Sequence, residues 1–174
     1  MDVSTPKLGT VNIEPTSNGY WEFDLDYAER IIRLNFNIGG TVLTQESINS
    51  VAKFLENLAL FENQAITGIS REYQHGSEYT VRLYIEEHLE QFSPSELLSC
   101  FSTDVAQLVT PDIFISRLKL KRIGLYPDQP AACAVFDYTI GDDLTNYILA
   151  VRFDAQGKLV AIEMESQVAR TTTP

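Results

Sequence analysis

One short segment of the sequence combines a histidine with carboxylates, at Glu86, Glu87, His88 and Glu90. Imidazole and carboxylate groups within one turn of a helix can bind a divalent metal ion, and a bound metal can activate water for hydrolysis. A zinc-protease helix carries two histidines four residues apart, however, and this segment has one. The pattern favours an exposed acidic helix face, with a metal at Glu87 and His88 as the alternative.

A second group of acids follows in the last third of the chain. Paired carboxylates serve acid–base catalysis or bind calcium. The six members are Asp137, Asp142, Asp143, Asp154, Glu163 and Glu165. The ligand order of an EF-hand is absent, and several members lie in turns, where aspartate bonds to the backbone, so a structural role is favoured. Asp137 and Tyr138 together remain candidates for a binding face, although a strand tyrosine is more often half-buried.

The third group is a run of acids beside two aromatic residues near the amino terminus. The acids alternate with apolar residues, as they would along a strand with one solvent-exposed face. Surfaces that are both aromatic and acidic suit the capture of a basic partner, although a solvated strand face is the plainer interpretation. The predicted binding residues are Tyr20, Trp21, Glu22, Asp24 and Asp26.

Motifs for covalent catalysis or nucleotide binding are absent from the sequence. It contains no G-x-S-x-G elbow, no P-loop and no G-x-G-x-x-G loop, and no motif places a histidine beside Cys100 or Cys133. Because the two cysteines lack C-x-x-C spacing, we predict that both are reduced thiols, either buried in the core or half-buried. We therefore predict no catalytic residue and no cofactor.

Periodicity predicts the elements that carry these groups. Alternating apolar residues predict strands at 7–14, 20–27, 32–38, 114–125, 132–140, 144–153 and 158–165. Spacings of three and four predict helices after a Thr44 cap, near 63–74 and 78–91, and after the capping sequence that starts at Ser93. The prediction is an α+β fold with a largely antiparallel sheet, built from an N-terminal strand and hairpin plus a C-terminal four-stranded meander. Helices from the central segment pack on one side.

Two questions of organisation follow from this pattern. We predict a single domain over residues 1–167 and a flexible tail at 168–174. Whether the two groups of strands form one sheet or two is not decided by the pattern.

The balance of charge limits the classes of partner. Twenty-four acids and 13 bases in 174 residues give a formal net charge of −11, which repels phosphate backbones and anionic lipids. We predict no nucleic-acid or membrane partner. The one basic cluster, Arg117, Lys119, Lys121 and Arg122, is interpreted as the solvated face or protected edge of a strand. The chain also lacks a signal peptide and an apolar run of membrane length, which predicts a cytoplasmic protein.

Several segments together resemble an uncharacterised bacterial family, domain of unknown function two thousand and four. They are Leu8-Gly9, Gly19-Tyr20-Trp21-Glu22, Phe136-Asp137-Tyr138-Thr139-Ile140, Thr145-Asn146-Tyr147, Val151-Arg152-Phe153-Asp154, Gly157-Lys158 and Glu163-Met164-Glu165-Ser166. The resemblance spans residues 8–166 and is strongest after Val135. The resemblance implies no known activity or catalytic residue. The family itself is similar to acidic immunity proteins, which neutralise the toxins of neighbouring bacteria.

Three hypotheses of function remain. The first is a non-catalytic, immunity-like interaction protein that binds a basic partner through electrostatic attraction and a small aromatic anchor. The alternative is a metal-dependent hydrolase or small-ligand binder that uses carboxylates and His88. The third is a homo-oligomer whose sheet edge, at the strand near Leu118, pairs with a second copy.

Overall fold

The computed structural model describes residues 2–5, 9–12, 19–39, 44–101 and 109–166. Over these ranges the predicted α+β fold is confirmed. The strands are β1 Asp2–Thr5, β2 Gly9–Asn12, β3 Tyr20–Tyr27, β4 Arg30–Asn37, β5 Lys119–Leu125, β6 Ala134–Thr139, β7 Tyr147–Phe153 and β8 Leu159–Ser166. The helices are α1 Gln45–Glu56, α2 Leu58–His75, α3 Thr80–Gln91, α4 Pro94–Phe101 and α5 Pro111–Arg117. None of the described helices is long and apolar enough to cross a membrane.

The hairpin and the meander belong to one six-stranded sheet, in the order β3-β4-β5-β6-β7-β8. The pair β4 and β5 is parallel, and the rest of the sheet is antiparallel. The predicted N-terminal strand does not join it. Its described part, β2, pairs instead with β1 in a separate two-stranded antiparallel sheet. The strand β1 was not predicted, because four residues are too few to show an alternating pattern.

The predicted strand 114–125 is wrong over its first residues, which form α5. Thr110 caps this helix by accepting a hydrogen bond from Ile113 N at 3.4 Å, and Pro111 occupies the first helical position, where its fixed φ suits a helix. Arg117 therefore belongs to a helix rather than a strand face. The strand that follows, β5, lies between β4 and β6, so the hypothesis that the strand near Leu118 forms a sheet edge is also wrong.

Helix starts follow the predicted capping residues. The Thr44 side chain accepts from Ser47 N at 3.1 Å, while Ser47 Oγ accepts from Thr44 N at 3.0 Å, which forms a capping box. At α4, Ser93 N donates to the Glu96 carboxylate at 2.8 Å. Helix α2 runs through Gly68 and ends at His75, as the sequence predicted for its carboxyl end.

The chain forms two compact units. The first contains Met1–Ala65, Leu120–Asp137 and Val151–Ala161. Its core holds four buried phenylalanines from α1, α2, β6 and β7, which are Phe54, Phe61, Phe136 and Phe153. Phe54 and Phe61 have ring centroids 4.5 Å apart, and Phe136 lies 5.3 Å from Phe153. These contacts pack the helices against the sheet within this unit.

The second unit contains Ile66–Lys119, Tyr138–Ala150 and Ile162–Pro174. Tyr84 of α3 is buried there, with its ring centroid 6.1 Å from that of Phe114 and its hydroxyl 3.4 Å from the carbonyl oxygen of Tyr147. Burial raises the pKa of Tyr84 to about 12. The single domain predicted over 1–167 stays a prediction, and the tail predicted at 168–174 lies outside the described residues.

Candidate functional site

The exposed face of the β3–β4 hairpin gathers most of the predicted binding residues. The strands pair residue for residue from Tyr20 opposite Asn37 to Tyr27 opposite Arg30. Because side chains alternate between the faces of a sheet, four predicted residues share the exposed face. They are Tyr20, Glu22, Asp24 and Asp26. We call this surface, together with its β4 neighbours Ile31, Arg33 and Asn35, the hairpin face.

Trp21 does not belong to the hairpin face. The alternation turns its side chain to the other side of the sheet, where it meets Phe36 edge to face, with ring centroids 6.2 Å apart. The prediction that Trp21 and the acids share one surface is therefore wrong. Tyr20, whose exposed fraction is 41%, is the aromatic residue that lies beside the acids.

Glu22 is held by three neighbours on the hairpin face. The Tyr20 hydroxyl donates to its Oε2 at 2.6 Å, Asn35 Nδ2 donates to the same atom at 3.1 Å, and Arg33 Nε lies 3.3 Å from its Oε1. The Tyr20 hydrogen bond and, to a smaller extent, Arg33 lower the pKa of Glu22. The pKa of Tyr20 is raised by burial first and by Glu22 second. Glu22 is thus a fixed, charged carboxylate.

Asp24 and Asp26 differ from Glu22 because neither makes a hydrogen bond or an ion pair with another described residue. Asp24 lies opposite Arg33, but the guanidinium turns to Glu22 instead. Asp26 lies opposite Ile31, whose exposed fraction is 73%. Among the described residues nothing compensates these two carboxylates, and they lie beside an exposed apolar side chain.

The turn of the hairpin is anchored to α2 and strained in its backbone. The Tyr27 hydroxyl donates to Glu62 Oε2 at 2.9 Å, and Arg30 Nη2 donates to Glu62 Oε1. Between these strand ends, Ala28 has φ 51° and Glu29 has φ 61°. Positive φ at both central residues defines a type I′ turn, which usually holds asparagine and glycine. Glu62 therefore holds the hairpin face at the end where the backbone adopts the unfavourable positive φ angles.

Asp137 and Tyr138 do not line a binding face, contrary to the prediction. Tyr138 is fully buried, and only 1% of Asp137 is exposed. Asp137 Oδ2 accepts from Arg122 Nε at 2.5 Å, and Arg122 Nη2 lies 2.5 Å from the same oxygen. A buried carboxylate requires such a partner, so Asp137 has a structural role.

His88 is buried, which contradicts the predicted exposed helix face at this position. Its Nδ1 lies 2.6 Å from the carbonyl oxygen of Tyr84, to which it donates, and its Nε2 lies 2.7 Å from Thr145 Oγ1. Burial lowers the pKa of His88, so the ring is neutral near pH 7. Glu87 is exposed. Because both ring nitrogens are hydrogen-bonded within the fold, this geometry does not favour the alternative metal site at Glu87 and His88.

The other reactive groups have structural surroundings. Cys133 is buried and Cys100 is half-buried, as predicted, and neither forms a disulfide. Burial raises the pKa of Cys133 to about 11, which suppresses the nucleophilic thiolate. Asp154 Oδ1 accepts from Gln156 N at 3.0 Å and Lys158 N at 2.8 Å, which confirms the turn role. No group of three or more histidine, cysteine or acidic residues among the described residues is placed to bind a metal.

Asn35, Arg33 and Ile31 complete the hairpin face but were not predicted as site residues. The alternation of Arg33 and Asn35 with apolar residues was visible in the sequence and indicated a polar strand face, whereas Ile31 lay outside the predicted strand 32–38. What the pattern lacked was the register, which brings Asn35 opposite Glu22 and Arg33 opposite Asp24. The two-residue turn at 28–29 was the signal that sets this register, but it lacks the usual asparagine and glycine.

Comparison of the chain with protein-family models, with curated proteins and with solved structures finds no match. The resemblance to the uncharacterised bacterial family thus stays a prediction.

Proposed function

We propose that the chain is a non-catalytic cytoplasmic interaction protein that binds a basic protein through the hairpin face. The single observation that carries this proposal is the pair of exposed carboxylates on Asp24 and Asp26, which have no described partner. A binding surface needs charges that are available to another molecule, and no residue that the structure describes engages these two. We favour an immunity-like role, as the family resemblance implies, in which the basic partner is a toxin.

Charge and rigidity both support this proposal. The formal net charge of −11 attracts basic proteins at long range and raises the rate of encounter. On the hairpin face, Glu22 is held by Tyr20, Asn35 and Arg33, so part of the surface is already ordered before binding. A surface ordered in advance loses less conformational entropy when the partner arrives.

The exposed side chains beside the acids supply apolar contact area. Ile31 and Tyr20 are among the large side chains that lie substantially exposed, with fractions of 73% and 41%. Interface centres are usually aromatic or aliphatic, with charged residues around them. The hairpin face therefore has the composition of a small protein-binding surface.

A pull-down that uses three baits tests the proposal. The baits are the wild-type chain, Asp24→Lys with Asp26→Lys, and the control Glu87→Lys with Glu90→Lys, and the lysate comes from cells that naturally produce the chain. Glu87 and Glu90 are exposed residues of α3, so both double variants change the net charge equally. Bound proteins are eluted by stepwise salt, because salt screens attraction between exposed charges.

We expect a basic protein to be retained by the wild type and by the α3 control, lost from the Asp24 and Asp26 variant, and released by salt. Equal retention on all three baits would contradict the assignment of binding to the hairpin face. Equal loss from both double variants would show that only the overall charge matters.

A further inference from the structure

In the part of the chain that the structure describes, the outer edge of β3 is open for pairing. This strand ends the six-stranded sheet, and among the described residues no strand pairs with its outer side. An edge strand displays backbone N–H and C=O groups that can pair with another chain. The edge therefore provides a second set of binding groups beside the acidic side chains.

The hairpin register shows which backbone groups point outward. In a two-residue hairpin the residues that flank the turn, here Tyr27 and Arg30, exchange hydrogen bonds with each other. At the other end of the hairpin Ile38 N donates to Gly19 O at 2.8 Å, which agrees with the same alternation. The odd-numbered residues of β3 thus bond to β4. The backbone groups of Tyr20, Glu22, Asp24 and Asp26 point to the open edge.

The same residues thus supply the outward backbone and the acidic side chains. A strand that paired with this edge would meet hydrogen-bonding groups and carboxylates at every second position, at Glu22, Asp24 and Asp26. Directly opposite side chains in an antiparallel pair lie on the same face, with Cβ atoms about 5 Å apart. Each acid is therefore placed to contact one opposing side chain.

Three common protections of an edge strand, which are proline, lysine and a bulge, are missing from β3. Its sequence, YWEFDLDY, contains no proline and no lysine, and its register with β4 continues without a bulge. Within β3 itself the acids are the feature that opposes pairing with a second copy. In antiparallel pairing with a second copy of the chain they would oppose one another, which is unfavourable, whereas a basic strand would neutralise them.

We infer that the partner binds as an extended basic segment, with lysine or arginine at every second position, that pairs antiparallel with the edge of β3. This inference rests on the proposed function and adds the mode of binding to it. Backbone hydrogen bonds supply affinity in such strand addition, and the alternating side chains supply specificity.

N-methylated peptides test this mode of binding without changing any charge. The probe is an octapeptide of alternating threonine and lysine, made without methylation, with N-methyl groups on every lysine, or with N-methyl groups on every threonine. In the inferred arrangement the lysines oppose the acids and their N–H groups bond to β3, while the threonine N–H groups face solvent. Affinity is measured by calorimetry at low salt.

We expect methylation of the lysines to weaken binding by about tenfold or more, and methylation of the threonines to leave it within about twofold. Amide exchange gives an independent readout. The amides of Glu22, Asp24 and Asp26 should become protected by the unmethylated peptide, whereas those of Phe23 and Leu25, which already bond to β4, should not change.

Three outcomes would overturn the inference. The first is equal binding of the two methylated peptides. The second is loss of binding only on methylation of the threonines. The third is a dimer of the free chain, detected by sedimentation, in which the Asp24 amide is already protected, because a second copy would then occupy the edge.

The two proposals fail in different ways. If the hairpin face binds basic proteins but not as strands, the wild type binds all three peptides equally. The variant with Asp24→Lys and Asp26→Lys then binds all three more weakly than the wild type does. If the hairpin face is not a binding surface, that variant binds the unmethylated peptide as well as the wild type does.

Discussion

Arg122 neutralises the carboxylate of Asp137 within the sheet: Nε and Nη2 both lie 2.5 Å from Oδ2, and Asp137 is only 1% exposed. The two residues come from the adjacent strands β5 and β6. Their contact explains why an acid can stand in a strand whose residues are all buried.

The Arg122→Ala variant should be destabilised by about 3 kcal/mol, because it removes the guanidinium that pairs with the buried carboxylate of Asp137. The matched control is Arg33→Ala. Its ion pair with Glu22 has side chains 58% and 41% exposed and should contribute less than about 1 kcal/mol. Urea unfolding measures both free energies, and equal losses would contradict the structural role of Asp137.

Relieving the turn strain should stabilise the chain. Glycine adopts positive φ at little steric cost, so Glu29→Gly should raise the free energy of unfolding by about 0.5–1 kcal/mol after glycine's entropic cost. Thermal unfolding measures the change. Glu29→Ala is the control, since it removes the same charge but keeps a Cβ. Equal stabilisation by alanine would attribute the gain to charge instead of backbone.

His88 should make the chain less stable in mild acid. Burial lowers its pKa in the folded chain below the ordinary 6.5, so between these two values the unfolded chain binds more protons. Stability is therefore lost as pH falls through about 6.5 and levels off below the folded pKa, as far as this residue contributes. Urea unfolding from pH 7.5 to 5 should show a steeper loss for the wild type than for His88→Gln. Parallel profiles would be inconsistent with a neutral, buried His88.

Gly157 should not tolerate a side chain. It has φ 84°, and a Cβ there would lie 2.9 Å from Phe61 Cε1 and 3.1 Å from Lys53 Nζ. Gly157→Ala should cost about 2–4 kcal/mol through left-handed backbone strain and overpacking. Combining it with Phe61→Leu tests the clash. If the ring is the obstacle, the two costs will be less than additive in denaturant unfolding.

Local patterns were sufficient for most of the fold. Alternation along 20–27 predicted β3 and identified which acids share a face, and the capping residues Thr44 and Ser93 marked helix starts that the structure confirms. Each of these signals depends on residues that are close in sequence, so it can be recognised from the sequence alone.

Non-local contacts explain what the sequence did not predict. The pairing of Arg33 with Arg122, which merges hairpin and meander into one sheet, joins distant segments with no shared local pattern. The short helix α5 has too few residues to distinguish its period from that of a strand. The burial of His88, by contrast, was readable, because it follows Val81, Tyr84 and Ile85 on one apolar stripe of α3.

The parallel pairing of β4 with β5 also sets an order of events during synthesis. Arg33 and Arg122 are separated by about 90 residues, and at about 5–20 residues per second a ribosome needs about 5–20 seconds to make that stretch. For that interval the inner edge of β4 lacks the strand it pairs with, and the side chains of Ile32, Leu34 and Phe36, which are buried in the folded chain, are without part of their surroundings. During that interval the nascent hairpin therefore exposes apolar side chains and an unpaired strand edge, which are the features that make a partly folded chain prone to aggregate.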